Sequence, residues 1–150
     1  MTTTIDSPAS LPAHAGTTMG TTEWMEITQD RVNMFADATG DHQWIHVDPE
    51  RAAAGPFGGT IAHGFLTLSL APLLIAETVE VGNVSAALNY GLNKVRFPAM
   101  VPVGKRIRGS VELVSAQEKP VGMETVFRVT YEVEGSDRPA CVAECVVLYR

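Results

Sequence analysis

The spacing of apolar residues changes character about half-way along the chain. In the first half Val32, Phe35, Ala36 and Thr39 recur at helical intervals, with Thr28 placed as an N-cap, Asp30 in the first turn and Gly40 as a C′ stop. The pattern predicts an amphipathic helix over residues 29–39, preceded by a short strand over Thr22–Ile27. Asp41–Val47 reads as a non-helical loop. Asp48-Pro49 opens a second short helix, a cap followed by Pro at the first helical position, and Gly55-Pro56 closes it. Ile61–Ala76 is then apolar almost without interruption. Its length favours a helix over a strand. Thr60 would cap this helix and Pro72 would bend it. Apolar residues on nearly every side predict burial on most sides.

From Ser85 onward the period becomes two. Ala86, Leu88, Tyr90 and Leu92 alternate, and the parity then shifts to Val95 and Phe97, which places a bulge near Gly91–Lys94. Lys105–Ser115 sets Ile107, Val111 and Leu113 against Arg106, Arg108 and Glu112. Met123–Val133 alternates in the same way, so Met123, Phe127 and Tyr131 read as core. Ala140–Leu148 is apolar on both faces except at Glu144, as expected of a central strand. The connections are too short for crossover helices, so the sheet should be mostly antiparallel. One apolar helix and one long sheet of five strands must bury each other, which makes this an α+β domain over residues 21–150. Residues 1–20, rich in Thr, Ser, Ala, Pro and Gly, are expected to form a flexible arm with a helical turn around Ser10–Ala15. A curled sheet retains edges, and pairing them between two subunits would hide them, so a dimer is expected.

Composition narrows the partners. The 150 residues suffice for one domain with a core that needs no disulfide or metal. Lys plus Arg total 11 against 17 for Asp plus Glu, a net charge of −6. That sign argues against nucleic acid and against an anionic membrane surface. A small anionic ligand needs only a few local cations and stays open. No apolar run reaches the roughly 18 residues of a membrane span. The start, Met-Thr-Thr-Thr-Ile-Asp-Ser-Pro, lacks the features of a secretory signal. Cys141 and Cys145 fall on one strand, roughly 13 Å apart at about 3.3 Å per residue, too far for a disulfide. Free thiols fit a reducing compartment, so a cytoplasmic location is expected.

The polar outliers cluster. Asp41 and His46 lie on one loop, and Ala62-His63-Gly64 opens the apolar helix. A carboxylate and an imidazole can converge on a small molecule, accept hydrogen bonds from water and carry its proton. The Gly64 N–H, in a first helical turn, suits an oxygen that gains negative charge. Together they equip a site to add water to, or remove it from, a compound activated by a carbonyl. Each residue also has a structural reading: Asp41 as an Asx turn, His46 as a loop histidine, His63 as a core residue, Asp48 as a cap. The ligand spacing is not that of a metal site, and none is expected. Lys94 and Arg96 either meet phosphates or are solvated strand-edge cations. There is no phosphate-binding loop and no dinucleotide fingerprint.

Gly-Asp-x-x-x-x-His at 40–46, Asp-Pro at 48–49 and Ala-His-Gly at 62–64 resemble the hydratase motif of the MaoC-like family, the (R)-specific enoyl-CoA hydratases or 3-hydroxyacyl-thioester dehydratases. Tyr90–Ala99 with Val101-Pro102-Val103-Gly104 resembles the first long strand of the same family. The chain looks most like the stand-alone single-domain members of mycobacteria. The resemblance implies a hot-dog fold, a long central helix wrapped by an antiparallel sheet, in a homodimer. It implies reversible hydration of trans-2-enoyl-CoA to (3R)-3-hydroxyacyl-CoA in fatty acid metabolism, with coenzyme A as carrier and no cofactor. Asp41 and His46 match the catalytic dyad, Gly64 the oxyanion donor and His63 a supporting residue. Gln43 stands where the family has Asn and would organise the loop. Trp44 replaces a Pro and would either pack under the loop or trim the acyl tunnel. That tunnel would run between helix and sheet past Phe65, Leu68 and Leu92. Lys94, Arg96 or Lys105 would meet the phosphates of the carrier. The spacing does not choose between Asp41 and His46 as acceptor of the water proton. Two rival readings are a hot-dog acyl-CoA thioesterase and a non-catalytic partner subunit of a heterodimeric dehydratase; the intact dyad spacing speaks against the second.

Overall fold

The computed structural model describes residues 2–150. The chain begins with β1 (Thr3–Ile5), a 3-10 helix (Pro8–His14), β2 (Thr17–Thr21) and β3 (Met25–Glu26). Helices α1 (Gln29–Thr39), α2 (Trp44–Val47), α3 (Pro49–Ala53), α4 (Gly64–Ser69) and α5 (Ala71–Thr78) follow. The remainder is β4 (Val79–Val81), β5 (Ala87–Arg96), β6 (Arg106–Lys119), β7 (Gly122–Val133) and β8 (Cys141–Tyr149).

Six strands make one antiparallel sheet in the order β2-β6-β7-β8-β5, with β3 also paired to β6. The expected count was five. The additional strand, β2, is Thr-Thr-Met-Gly-Thr, where a single Met gives no readable alternation. The expectation of a flexible arm is corrected with it. Ile5, Leu11 and Met19 are buried in the common core, and β1 pairs in parallel with β4. Three apolar anchors suffice to fold a segment whose composition is otherwise that of a linker.

The inner face of the sheet is built by strict alternation. In β7, Met123, Thr125, Phe127, Val129, Tyr131 and Val133 are buried, and every intervening residue is half-exposed. On the outer face Arg128 lies in register between Glu112 and Glu144, at 3.1 and 3.3 Å. β8 is paired on both sides, as its two apolar faces predict. β5 shifts register against β8 between Asn89 and Gly91 and again between Leu92 and Lys94, where the change of parity falls.

The apolar helix lies against this face but is not continuous. It starts at Gly64 after His63, not after Thr60, and breaks at Leu70 between α4 and α5. Pro72 stands in the first turn of α5, where its missing N–H is tolerated, so the break precedes it. Pro72 leaves the Leu68 carbonyl without its usual helical donor. The buried Tyr131 hydroxyl donates to that carbonyl instead, at 3.0 Å. At Gly109 a Cβ would come within 2.8 Å of the Leu74 side chain, so the close approach of α5 to β6 favours glycine and any larger residue would shift Leu74. Leu66, Ala71, Leu74 and Ile75 face the core, whereas Phe65 and Leu73 stay exposed. Burial on most sides is therefore not reached within one chain.

Candidate active site

Gly40 ends α1 with φ 86°, which turns the chain so that Asp41 starts a new segment. Residues 41–47 were expected to form a loop, yet 44–47 make a single helical turn, closed by Asp48 N–H donating to the Trp44 carbonyl at 3.1 Å. One turn is too short to leave a period in the sequence. It points His46 inward, where the residue is only 6% exposed. α3 begins as expected, with the Asp48 carboxylate capping the Arg51 N–H at 3.1 Å.

Hydrogen bonds fix both imidazoles. His46 Nδ1 lies 2.7 Å from the Ile61 carbonyl oxygen. A carbonyl only accepts, so Nδ1 carries the hydrogen and Nε2 of the neutral ring is a bare acceptor. His63 Nε2 donates in the same way to the Asp41 carbonyl at 3.0 Å, and its buried Nδ1 has no partner among the described residues. The two rings stack at 3.9 Å and 24°, and the Phe35 ring lies 4.9 Å from His63, tilted by 51°. His63 is thus a core residue and also holds the backbone of Asp41. One Asp41 oxygen accepts from the Gln43 N–H at 3.3 Å, the Asx-type contact, which uses a single lone pair.

Asp41, His46, His63 and Gly64 share a cleft of about 440 Å³ with the aromatic rings of Phe35, Phe65 and Phe97. Gly64 is the first residue of α4, and its N–H has no acceptor within the helix. A Cβ at Gly64 would meet the Phe97 ring at 3.3 Å. The ligand atoms of Asp41, His46 and His63 lie within 4.8 Å of one another. Three donors at that spacing form a group that could hold a metal ion, although two of them, His46 and His63, belong to stacked rings.

Other sequence-predicted residues fall elsewhere. The exposed Gln43 side chain has no hydrogen-bond partner among the described residues; its backbone, not its amide, organises the loop. Trp44 packs outside the cleft, with Arg51 4.4 Å above its ring and Gly55 against its edge. Of the two places the sequence offers, it takes the one under the loop and does not line the cleft. Phe65 does line the cleft, 70% exposed. Lys94 and Arg96 are exposed on β5 outside the cleft, and Arg96 donates to its neighbour's carbonyl at 2.9 Å. The sequence pattern gives Gln29 no role; it places Phe35 and Thr39 in the helix stripe, Phe97 in the strand alternation and Thr60 as a cap, and does not mark any of them for the site.

An apolar groove of about 350 Å³ lies between helix and sheet, walled by Leu68, Pro72, Ile75, Tyr90, Leu92 and Cys145. It shares Pro72, Ile75 and Asn89 with a further space of about 270 Å³ that reaches Val147 and Tyr149. Leu68 and Leu92 are where the tunnel was expected, while Phe65 stands at the cleft.

Residues 10–136 match the family described as MaoC like domain. The chain belongs to the MaoC-like family. This MaoC-like chain is 58% identical over 147 residues to the 3-hydroxyacyl-thioester dehydratase Z of Mycobacterium tuberculosis, covering 97% of both. It is 44% identical over 145 residues to nodulation protein N of Rhizobium leguminosarum bv. viciae, covering 95% of this chain and 90% of that protein. Among solved structures it resembles the (R)-hydratase from A. caviae, with a TM-score of 0.73 at 23% identity, covering 87% of this chain and 95% of that one. The MaoC-like chain therefore has the hot-dog fold, with α4–α5 lying along the inner face of the sheet. Asp41, His46, His63 and Gly64 all fall inside the matched span.

Proposed function

We propose that this chain hydrates trans-2-enoyl thioesters reversibly to (3R)-3-hydroxyacyl thioesters, a hydro-lyase of fatty acid metabolism with coenzyme A as the carrier. The observation that carries the reading is that the Asp41 carboxylate and His46, whose Nδ1 is engaged by the Ile61 carbonyl, line one cleft together with Gly64. The 58% identity to a 3-hydroxyacyl-thioester dehydratase over 97% of both chains supports it.

The chemistry follows from the geometry. Asp41 and His46 offer ligand atoms within 4.8 Å of each other, a span that one water can bridge with hydrogen bonds of about 2.7–2.8 Å. The water oxygen bonds to C3 as the C2–C3 π bond breaks. The electron pair moves through C2 toward the thioester oxygen, where the Gly64 N–H meets the charge. One water proton passes to the dyad and a proton returns to C2, so the net change is addition of H and OH. No cofactor enters this balance. The groove from Leu68 to Tyr149 offers apolar walls to an acyl tail. Two copies of the chain would cover the exposed edge of β5 as a homodimer, and the free thiols Cys141 and Cys145 suit a reducing, cytoplasmic setting.

Hydration of crotonyl-CoA, followed as loss of enoyl-thioester absorbance, tests this reading. Asp41→Asn and His46→Gln should each lower kcat by about 10²-fold or more while the fold is kept. Thiol release without hydration would mean a thioesterase. Inertness toward short and long enoyl-CoAs would overturn the proposal.

A further inference from the structure

Gln29 is the first residue of α1, next to the N-cap that holds the helix start. Its side chain is not among those that line the cleft, yet it touches both supports of His46. Nε2 donates to the His46 carbonyl at 2.7 Å and to Asn33 Oδ1 at 3.0 Å. Oε1 accepts from the Thr60 hydroxyl at 2.6 Å. The orientation of the amide is set by chemistry: the His46 carbonyl only accepts, so nitrogen must face it. Thr60 is buried, and the next residue, Ile61, offers the carbonyl that takes the His46 Nδ1 hydrogen. Ile61 N–H donates back to the Ile45 carbonyl at 3.0 Å. The segment beneath is itself tied down, by Val103 N–H on the Thr60 carbonyl and Ala62 N–H on the Val101 carbonyl, at 2.9 and 2.8 Å.

These bonds close a ring. It runs from the His46 carbonyl through the Gln29 amide and the Thr60 hydroxyl, along the peptide to Ile61, and back into the His46 imidazole. We infer that Gln29 and Thr60 are positioning residues that hold the His46 ring in the tautomer with a bare Nε2 and aim that atom into the cleft. The inference rests on the proposed hydratase chemistry for its activity readout but not for its structural one. Without the amide, the short α2 turn keeps only its own backbone bonds and its tie to Ile61. A displaced acceptor loses transition-state alignment more than ground-state binding.

The test compares Gln29→Ala, Thr60→Val, Thr60→Ser and the double variant Gln29→Ala/Thr60→Val. With crotonyl-CoA as substrate, each of the first two should lower kcat about tenfold with KM nearly unchanged. Thr60→Ser, which keeps the hydroxyl, should restore it. Because both residues act through one ring, the double variant should be no worse than the poorer single. Nitrogen-15 NMR of the histidine rings gives a readout independent of turnover. The wild type should show His46 protonated on Nδ1 and slow to exchange. Gln29→Ala and Thr60→Val should show mixed tautomers and faster exchange. If melting temperature falls while kcat and the His46 signals stay as in the wild type, the residues are merely structural and the inference is overturned. If the wild type itself hydrates nothing, the functional reading fails, and the ring NMR alone still upholds or overturns the clamp. Should Gln29→Ala not fold, Thr60→Val carries the same comparison.

Discussion

β7 and β5 carry nearly the same alternation of apolar and polar residues, yet one is finished within the chain and the other is not. β7 has a partner on each side and an inner face that includes Phe127, Val129 and Tyr131, all fully buried. β5 is paired only to β8 and is exposed along almost its whole length, with Leu88, Tyr90 and Leu92 between 43% and 60% accessible. Alternation specifies that a face will be buried; it does not say by which molecule. The exposed Phe65 and Leu73 on the helix beside β5 extend the same unfinished surface. A second copy of the chain is the cover proposed for it, because an open apolar edge invites uncontrolled pairing.

The contrast breaks most sharply at the centre of β7. Phe127→Ala should cost about 3–5 kcal/mol by denaturant unfolding, since Phe127 is fully enclosed. An equal loss from Leu92→Ala would mean that the two strands are not different in kind. Next in size is an effect on assembly. The pair Leu88→Lys and Leu92→Lys should convert a sedimenting dimer to a monomer at micromolar concentration. Phe127→Ala, in the fraction that remains folded, should not. A wild-type chain that sediments as a monomer would remove the proposed partner of β5.

The smallest effect concerns pH and sharpens the comparison within β8, which joins the two regions. Burial pushes the Cys141 thiol up to about 12 and the Cys145 thiol up to about 11, with the Cys145 charge adding to the shift at Cys141. In the folded chain both stay neutral where the unfolded chain has begun to ionise. The stability they contribute is full below the ordinary thiol range, near 8.5, and is lost as pH rises toward 11 and 12. The denaturation midpoint should therefore fall between pH 8 and pH 10, and fall less in Cys141→Ala. An identical slope in that variant would assign the loss to other groups.

The chain announces its local devices well. Thr28 and Gly40 bound α1 as read, with the Thr28 hydroxyl accepting from the Arg31 N–H at 3.1 Å. The parity change in β5 marks real shifts of register, and the spacing of Asp41, His46 and Gly64 brings them to one cleft. What stays hidden depends on partners distant in sequence. Thr60 looks like a helix cap because nothing nearby reveals that its hydroxyl is engaged by Gln29. β2 is invisible because pairing with β6, not its own pattern, makes it a strand. Trp44 had two available directions, and the absence of a side chain at Gly55 decides between them. The helix break appears at Leu70 and not at Pro72 because a proline is well suited to starting a helix.

The phenol of Tyr131 gives that break a mechanical meaning. By engaging the Leu68 carbonyl it ties the helix to the sheet beside the break, like a pin through a shaft. Gly64 lies four residues upstream, about 6 Å along the axis at 1.5 Å per residue. Over so short an arm, strain arising in α5 has little leverage. The Gly64 end of the helix thereby keeps a fixed reference to the sheet, whatever side chains line the α5 end.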